Sequence, residues 1–390
     1  MKSIFNEGTL TVYLEGRIDS VNSSDAEKEL EAIFSENNYS GLIIDAQDLT
    51  YISSAGLRVL LRVRKKHDSF KIINACPEVY DIFEMTGFSE IMTIEKAFRR
   101  FSVDGCRVIG RGAKGTVYRY NDDTIIKVYN NPDSLDAIQN ERALARKAFV
   151  LGIPTAISYD VVKVDGKFGS VFELLDAKSF SQLIAEDPEN IEEYAKISAD
   201  MLKKIHSTEV DPKDMPDVRI LINKWLETVA PYFSESENTK LGALVNDSEP
   251  VMTMIHGDYH TNNIMMQNDE TLLIDMDTLS YGHPVFELAN IHITYVGFGE
   301  NDPSYVENFM GFSYENCIRF WKFFISAYLG TQEPSVIEKA EQKIRLFSYI
   351  RLMRHHIRRG MMNDPEGAAF VSSIKDKVSA LLLLTNDLDI

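Results

Sequence analysis

A polar segment between apolar stretches, residues 256–277, holds the side chains of this sequence that are best suited to chemistry. Asp258 precedes Asn263 by five residues, and an apolar stretch then leads to Asp275. A carboxylate can accept the proton of a hydroxyl group, and carboxylate and amide oxygens are ligands that Mg²⁺ prefers. The spacing predicts an ATP-dependent phosphotransferase, with Asp258 acting on the acceptor hydroxyl and Asn263 and Asp275 binding the metal. For the tripeptide HGD alone, the alternative is a polar loop that caps its own turns.

A glycine-rich segment upstream contains Gly110, Gly112 and Gly115 and is followed by residues that favour β-strands. A dinucleotide-binding fold would need a helix after the last glycine, and a Walker loop would need a Gly-Lys-Ser/Thr ending. Here a turn and a second strand, residues 124–129, follow instead, which indicates a β-hairpin that covers phosphates. We therefore predict that these three glycines bind the nucleotide.

Lys127 lies within that second strand, where a buried charge is costly unless it is paired. We expect Lys127 to hold the α- and β-phosphates of ATP, and Glu141, on a predicted helix over residues 135–150, to orient it. The alternatives are a lysine that extends to solvent from an edge strand and a glutamate on an exposed helix face. A further strand ends near Glu173 and Leu175, whose backbone groups are expected to bind the adenine ring.

Residues from about 104 to 300 resemble the aminoglycoside phosphotransferase and choline kinase group, relatives of the protein kinases. The matching sequences are HGDYHTNNI at 256–264, LLIDMD at 272–277 and GHPVFELA at 282–289. The resemblance implies a bilobal fold, ATP and Mg²⁺ as cofactors, and a small-molecule acceptor of the aminoglycoside or amino-alcohol class. Glu287 stands where this family usually has Asp, and we expect it still to anchor the catalytic loop.

The first hundred residues alternate short apolar strands with helices, which indicates an α/β layer. The strands are predicted at residues 9–15, 41–46 and 70–74. Residues 1 to about 98 resemble the STAS domain family, the fold of bacterial anti-sigma factor antagonists, in this order of elements and in the motif DLTYISSAGL at 48–57.

The STAS resemblance implies a phosphorylation site at Ser54 or, as second choice, at Ser53. A phosphate there would lie at a helix N-terminus, among free backbone N–H groups. Many switching members of the family have Asp before the acceptor serine, where this chain has Ser53. The alternative is that either serine is only a helix N-cap.

The predicted fold class is therefore an α/β STAS domain followed by an α+β bilobal protein kinase-like phosphotransferase domain. We expect the STAS domain at residues 1–98 and the nucleotide-binding N-lobe at residues 104–178. The mostly helical C-lobe, at residues 179–390, is expected to carry catalysis and substrate binding. Helices are predicted there at residues 191–206, 218–233 and 314–328, and none contains a motif that identifies a substrate.

The formal net charge of −18 argues against a nucleic-acid or anionic-membrane partner, because phosphate groups bind to basic surfaces. It is compatible with a cationic substrate. The widely spaced Cys76, Cys106 and Cys317 suit neither a disulfide framework nor a zinc site. With no signal-peptide pattern and no apolar run of membrane-spanning length, we expect a cytoplasmic protein.

A basic stripe, RLMRHHIRR at residues 351–359, contrasts with the acidic composition. We interpret it as a helix face that pairs with acidic neighbours, and the alternative is a docking site for an anionic group. Because such stripes commonly serve either role, the sequence leaves both interpretations open.

Three classes of function compete. The first is a small-molecule kinase whose STAS domain regulates it or docks a protein partner. The second is a protein kinase, or a self-phosphorylating switch, that acts on Ser54. The third is a scaffold without catalysis, against which the intact set of Lys127, Asp258, Asn263 and Asp275 counts.

Overall fold

The computed structural model describes residues 1–36, 38–112, 114–247 and 249–390, so Ala113 of the glycine-rich segment lies outside the described residues. The strands are β1 (Lys2–Asn6), β2 (Thr9–Ile18), β3 (Gly41–Ile52), β4 (Phe70–Ala75), β5 (Thr93–Lys96), β6 (Arg100–Phe101), β7 (Arg107–Arg111), β8 (Gly115–Arg119), β9 (Thr124–Tyr129), β10 (Asp160–Val164), β11 (Lys167–Glu173), β12 (Lys178–Ser179), β13 (Met254–Ile255), β14 (Ile264–Gln267), β15 (Glu270–Leu273) and β16 (Ser280–Tyr281). The helices are α1 (Ser23–Ser35), α2 (Ser54–Lys66), α3 (Pro77–Met85), α4 (Phe88–Ile91), α5 (Leu135–Val150), α6 (Phe180–Glu186), α7 (Ile191–His206), α8 (Val218–Val229), α9 (Glu235–Asn246), α10 (Pro284–Tyr295), α11 (Pro303–Met310), α12 (Tyr314–Leu329), α13 (Pro334–Arg358) and α14 (Pro365–Leu384).

The chain divides into two compact units, residues 1–105 with 161–169, and residues 106–160 with 170–390. In the first unit, β1 to β5 form a sheet in sequence order, in which β1 is antiparallel to β2 and the other neighbours are parallel. Parallel neighbours need a crossover, which α1, α2 and the α3–α4 pair supply. Val12, Ile44 and Ile72 lie in register on adjacent strands and are fully buried.

Two strands of the first unit run further than the sequence predicts. The pairing of β2 with β3 continues past Glu15 to Ile18 and Ile52, with register shifts after Tyr13 and after Gly16. Such irregularities break the alternation of apolar and polar residues that marks a strand in sequence. The predicted ends at residues 15 and 46 were therefore too early.

The nucleotide-lobe segment of the second unit begins with the antiparallel strands β7, β8 and β9. The strand β9 and the helix α5 have the bounds that the sequence predicts. Gly115 opens β8, and a Cβ atom there would lie 2.4 Å from the Val128 carbonyl oxygen, so only glycine allows the two strands to approach. The Gly112 N–H donates to the Gly115 carbonyl at 2.9 Å, which closes the glycine-rich segment as a hairpin.

The helices of the second unit share one apolar core, to which Leu202, Phe286, Phe324 and Ile350 contribute from four different helices. The helix predicted over residues 218–233 ends earlier, at Val229, and a 3₁₀ turn, Ala230–Tyr232, follows. Proline at position 231 has no N–H to continue the helix, which explains the early end. Among the helices described, none combines the length and apolar composition that crossing a membrane requires.

Candidate active site

The catalytic loop, residues 256–264, connects β13 to β14, and the β14–β15 hairpin brings its end next to Asp275. The Ile274 N–H donates to the Asn263 carbonyl at 3.0 Å, directly beyond the paired residues Ile264 and Leu273. The Nδ2 atom of Asn263 donates to the Asp258 carbonyl at 2.9 Å. With this nitrogen engaged, the Oδ1 atom is the part of the amide that can bind a cation.

A buried carboxylate fixes the start of the catalytic loop. Glu287, which is fully buried on α10, accepts hydrogen bonds from the N–H groups of His256 at 2.8 Å and Gly257 at 2.6 Å. His206 lies 3.1 Å from the same carboxylate and 2.7 Å from the Tyr328 hydroxyl. The expectation that Glu287 anchors the loop is confirmed, and His206 serves this anchor from α7 rather than the site itself.

Gly257 adopts a backbone conformation that suits only glycine at this position. Its φ is 85°, and a Cβ atom would lie 2.5 Å from the carbonyl oxygen of Thr278. The Thr278 hydroxyl also donates to the His256 carbonyl at 2.7 Å. Thr278 contacts the loop at His256 and Gly257, and Glu287 binds the N–H groups of the same two residues. These contacts fix the backbone directly before Asp258.

The side chain of Asp258 is 45% exposed, which leaves its carboxylate accessible to a ligand. Burial alone would raise the pKa of this carboxyl, but His260, His256 and Arg351 outweigh that effect and lower the pKa to about 2. His260 is the nearest of these, with its Nε2 atom 3.6 Å from the carboxylate. Asp258 is therefore an anion at neutral pH and a weak base.

The predicted residues Lys127, Glu141 and Asp275 come together although they are far apart in the sequence. The Lys127 Nζ atom donates to Glu141 Oε1 at 3.1 Å and to Asp275 Oδ1 at 2.8 Å. Burial would lower the pKa of Lys127, but the charges of Glu141, Tyr129 and Asp275 outweigh it and raise the pKa. Tyr129 also donates to the second oxygen of Glu141 at 3.0 Å, so the glutamate is held on both sides.

Asp275 has a left-handed backbone, with φ 64° and ψ 60°, at the start of the 3₁₀ turn Met276–Thr278. Non-glycine residues adopt this conformation at a cost of order 1–3 kcal/mol, and such residues concentrate at functional sites. The turn brings Asp277 close as well, so that carboxylate oxygens of Glu141, Asp275 and Asp277 lie within 4.8 Å of one another. Asp277 also pairs with Lys114 of the glycine-rich segment.

Asp277 was not among the predicted metal ligands, although it belongs to the same LLIDMD motif as Asp275. Its position two residues after Asp275, directly beyond the same strand, was the available indication. The 3₁₀ turn, which cannot be inferred from these few residues, is what brings the side chains together.

The predicted adenine-binding segment follows the end of β11 at Glu173. The Leu174 N–H is already bonded to the Asp123 carbonyl at 2.7 Å, and the Glu173 side chain accepts from the Tyr159 hydroxyl at 3.1 Å. Leu175 comes next in the chain and is half-buried. The backbone of Leu175, rather than that of Leu174, therefore suits the expected role.

In the first unit, the two predicted phosphorylation sites differ in their surroundings. Ser53 is the N-cap of α2, and its side chain accepts from the N–H groups of Ala55 at 3.2 Å and Gly56 at 3.5 Å. Ser54 is the first residue of α2 and is exposed. The N-cap alternative thus applies to Ser53, which leaves Ser54 as the accessible hydroxyl.

Two family models match the chain. One, described as the phosphotransferase enzyme family, matches residues 105–319, and one for the STAS domain matches residues 2–100. Among curated proteins, BtrV of Bordetella bronchiseptica, which is named as an anti-sigma factor antagonist, is 34% identical over 92 residues, or 23% of this chain and 78% of that protein.

The solved structures that match the chain include an aminoglycoside phosphotransferase and a choline/ethanolamine kinase family protein. The GDP complex of aminoglycoside 2′-phosphotransferase-IIIa is 13% identical, covers 78% of this chain and 98% of its own, and has a TM-score of 0.45. A choline/ethanolamine kinase family protein from Mesorhizobium loti is also 13% identical, covers 71% and 87%, and has a TM-score of 0.44. At this distance neither structure bears on the activity of the chain.

Proposed function

The chain belongs to the phosphotransferase enzyme family and carries an N-terminal STAS domain, and from this premise we propose that it transfers the γ-phosphoryl group of Mg-ATP to a hydroxyl of a small molecule. The family membership confirms the predicted fold class and the predicted kinase-type enzyme. The observation that carries the proposal is the convergence of Lys127, Glu141 and Asp275 beside a catalytic loop that presents an ionised Asp258.

The oxygen atoms around Asp275 suit a magnesium ion. Carboxylates of Asp275 and Asp277 and the amide oxygen of Asn263 are hard donors on adjoining turns. Glu141 is already bound by Lys127 and Tyr129, so we assign the metal to Asp275 and Asn263, with Asp277 as an additional ligand. Bound Mg-ATP supplies the phosphoryl group, and the metal offsets the negative charge of the phosphates.

Lys127 is assigned to the α- and β-phosphates, with Glu141 holding its ammonium group in place. Gly110, Gly112 and Gly115 are assigned to the hairpin that covers the phosphates, and Leu175 to the adenine ring. Positioning of this kind accounts for much of the rate enhancement in phosphoryl transfer, because the protein itself forms no covalent bond with the substrates.

Asp258 is assigned to the acceptor hydroxyl, which it orients by accepting a hydrogen bond. A bond forms between the hydroxyl oxygen and the γ-phosphorus, and the bond from this phosphorus to the β–γ bridging oxygen breaks, so that ADP leaves. The hydroxyl proton moves to the carboxylate as the new bond forms. With a pKa of about 2, Asp258 is too weak a base to remove this proton beforehand, so its main task is orientation.

The decisive variant is Asp258→Ala, assayed by ADP release with amino-alcohol, sugar and hydroxy-acid acceptors and by direct ATP binding. We expect turnover to fall by about 10³-fold or more while ATP binding changes little, since Asp258 is assigned to the acceptor hydroxyl and not to the phosphates. Asp376→Ala, which removes an exposed carboxylate on α14, is the control and should match the wild type. Unchanged turnover in Asp258→Ala contradicts the proposal.

A second candidate function is favoured by the exposed Ser54 hydroxyl at the start of α2. A chain that carries both a phosphotransferase domain and a STAS acceptor serine suits a self-phosphorylating switch, and the likeness to BtrV favours a protein partner for the STAS domain. Intact mass after incubation with Mg-ATP separates the two functions. A gain of one phosphoryl group that is lost in both Ser54→Ala and Asp258→Ala would put the switch first, whereas no gain leaves the small-molecule kinase.

A further inference from the structure

Two arginines, Arg351 and Arg354, lie on the last turns of α13, and the charge of the first acts on Asp258 of the catalytic loop. Arg351 stands above the Trp225 ring at 5.7 Å and interacts electrostatically with Asp258, without forming an ion pair with it. Arg354 follows one helical turn later, on the same face of the helix. Arg351 thus belongs to the helical surface near Asp258, and Arg354 extends that surface by one turn of α13.

These two arginines lack the carboxylate partners that other arginines of the chain have. Arg345, on the same helix, pairs with Glu338 and Glu341. Within the described part of the chain, Arg351 forms no hydrogen bond or ion pair, and the buried Nε atom of Arg354 has no partner. Leaving a buried guanidinium nitrogen without a partner is unfavourable, and the chain has 59 acidic residues that could supply one. The preferred sequence interpretation, a basic stripe paired with acidic neighbours, is therefore wrong for these two residues.

Several positive charges lie around a neighbouring histidine, His355. Burial lowers the pKa of His355, and the charges of Arg359, His356, Arg351 and Arg354 lower it further, to about 4. The negative end of the helix dipole favours cations only in the last turn, and Arg351 lies seven residues before the end of α13 at Arg358. The dipole therefore does not account for Arg351.

An exposed aromatic surface joins this cationic region to the catalytic loop. The side chain of Asn262 donates to the Phe309 carbonyl at 2.8 Å, and the Phe309 ring lies 5.1 Å from the ring of His260. One helical turn earlier on α11, Tyr305 lies 6.4 Å from the ring of His355. Tyr305 and Phe309 are 42% and 48% exposed, so α11 presents apolar rings between Asp258 and the arginines.

We propose that Arg351 and Arg354 bind an anionic group, a carboxylate or a phosphate, of the hydroxyl acceptor, and that this contact directs its hydroxyl to Asp258. The proposal rests on the proposed function and specifies its substrate class. Guanidinium groups match both anions with two parallel hydrogen bonds, whereas they repel an amine. The negative net charge, which is compatible with a cationic substrate, belongs to the whole chain, whereas the charges on the last turns of α13 are positive.

Two acceptor series test the proposal, and within each series the members have the same number of carbon atoms but carry no charge, a positive charge or a negative charge. One series is glucose, glucosamine, gluconate and glucose 6-phosphate, and the other is glycerol, 2-amino-1,3-propanediol, glycerate and glycerol 3-phosphate. Binding of each compound to the full-length protein loaded with Mg-ADP is measured by calorimetry, and ADP release is measured separately with Mg-ATP. We expect anionic members to bind at least tenfold more tightly than the neutral and cationic members of their series.

The variants Arg351→Gln and Arg354→Gln should each weaken binding of the anionic members about 30-fold or more, with the neutral members unchanged. Arg359→Gln removes the same charge from an exposed position at the end of the same helix and should change binding less than about threefold. Affinity for Mg-ATP is the folding control, because it should be equal in all variants. Should Arg351→Gln fail to fold, Arg354→Gln still tests the proposal, because Arg354 is half-exposed and its replacement disturbs the fold less.

Absence of a charge preference in the wild type, or a preference that survives in Arg354→Gln, overturns the anion site. A preference for carboxylates over phosphates, or the reverse, identifies the anion. If binding shows the anionic preference but no compound supports ADP release above the background with water, the anion site stands and the proposed transfer to a hydroxyl fails. If phosphoryl transfer occurs to the cationic members alone, the proposed kinase activity is supported and the proposed anion site is contradicted.

Discussion

The Nζ atom of Lys127 donates a hydrogen bond to the Oδ1 atom of Asp275 at 2.8 Å, across 148 residues of sequence. This contact connects the strand β9 with the turn that follows β15, and Glu141 holds the same ammonium group at 3.1 Å. One cation thus lies between two carboxylates, and a phosphate that binds Lys127 would meet an ammonium group that is already fixed in position.

Replacing Lys127 by Gln should lower kcat/KM for ATP about 100-fold or more. The variant removes the cation assigned to the phosphates and leaves Glu141 and Asp275 as neighbouring anions that repel the nucleotide. Steady-state kinetics with varied ATP measure the effect. Lys178→Gln, an exposed lysine that pairs with Glu186, is the matched control. Equal kcat/KM values for the two variants would contradict the assignment of Lys127 to the phosphates.

Gly115→Ala and Gly112→Ala should separate a structural glycine from a functional one. A Cβ atom at Gly115 meets the Val128 carbonyl oxygen at 2.4 Å, so we expect a loss of about 1–3 kcal/mol in the free energy of unfolding. At Gly112 the nearest atom is 4.0 Å away, and stability should be retained while nucleotide affinity falls. Urea unfolding and ATP titration measure the two properties. A large loss of stability in Gly112→Ala would contradict this assignment.

Glu287→Gln should weaken both folding and catalysis. The amide offers one oxygen where the carboxylate offers two, so either His256 or Gly257 loses the acceptor of its N–H group. A buried donor left unsatisfied costs about 1–3 kcal/mol, and the start of the catalytic loop loses its fixed position. Urea unfolding and kcat should both respond, whereas the exposed Glu227→Gln should change neither. A variant with normal stability and normal kcat would show that the anchor is dispensable.

The depressed pKa of Asp258 predicts how stability depends on pH. Burial raises this pKa, but His260, His256 and Arg351 lower it overall, from an ordinary 3.8 to about 2. Because the folded state favours the anion, the stabilising contribution is present above pH 3.8 and is lost as the pH falls from there through 2. Asp258→Asn should therefore flatten the fall of the urea midpoint between pH 4 and pH 2.

The same value predicts that Asp258 gives no titration step in kcat between pH 5 and pH 9, because it stays ionised throughout. Glu237, whose pKa is also lowered to about 2 by bonds with Ser379 and Ser234, titrates in the same acid range at the start of α9. Glu237→Gln should alter acid stability and leave kcat unchanged. A kcat step near neutral pH that disappears in Asp258→Asn would contradict the assigned pKa.

The sequence contained enough information for the elements whose residues are close neighbours in the chain. The bounds of β9, α5 and α7 follow from local patterns, and the catalytic loop and the β14–β15 hairpin occupy the predicted segment. Their conformations depend on hydrogen bonds and apolar spacing within a few residues, which the sequence shows directly. The end of α8 was missed only because the effect of a single proline was not weighed.

What could not be predicted depends on contacts between distant segments. The raised pKa of Lys127 depends on Glu141 and on the distant Asp275, and the unpaired arginines of α13 are recognised as such only when the neighbours of that helix are known. The rings of Tyr305 and Phe309 resemble ordinary core residues in sequence, and only packing reveals that they are exposed. The predicted domain boundaries at residues 98, 104 and 178 stay a prediction.

The attachment of His256 and Gly257 to the Glu287 carboxylate has a consequence for inhibitor discovery. These amide hydrogens lie outside regular secondary structure, yet their exchange with heavy water should be as slow as that of a buried helix, because release requires breaking a bond to a carboxylate without access to solvent. The free protein therefore presents the surface around Asp258 in an ordered form. Because the loop is already ordered, a compound that fits this surface would pay little entropic cost for ordering it on binding. Fragments can therefore be screened against the protein without an acceptor present.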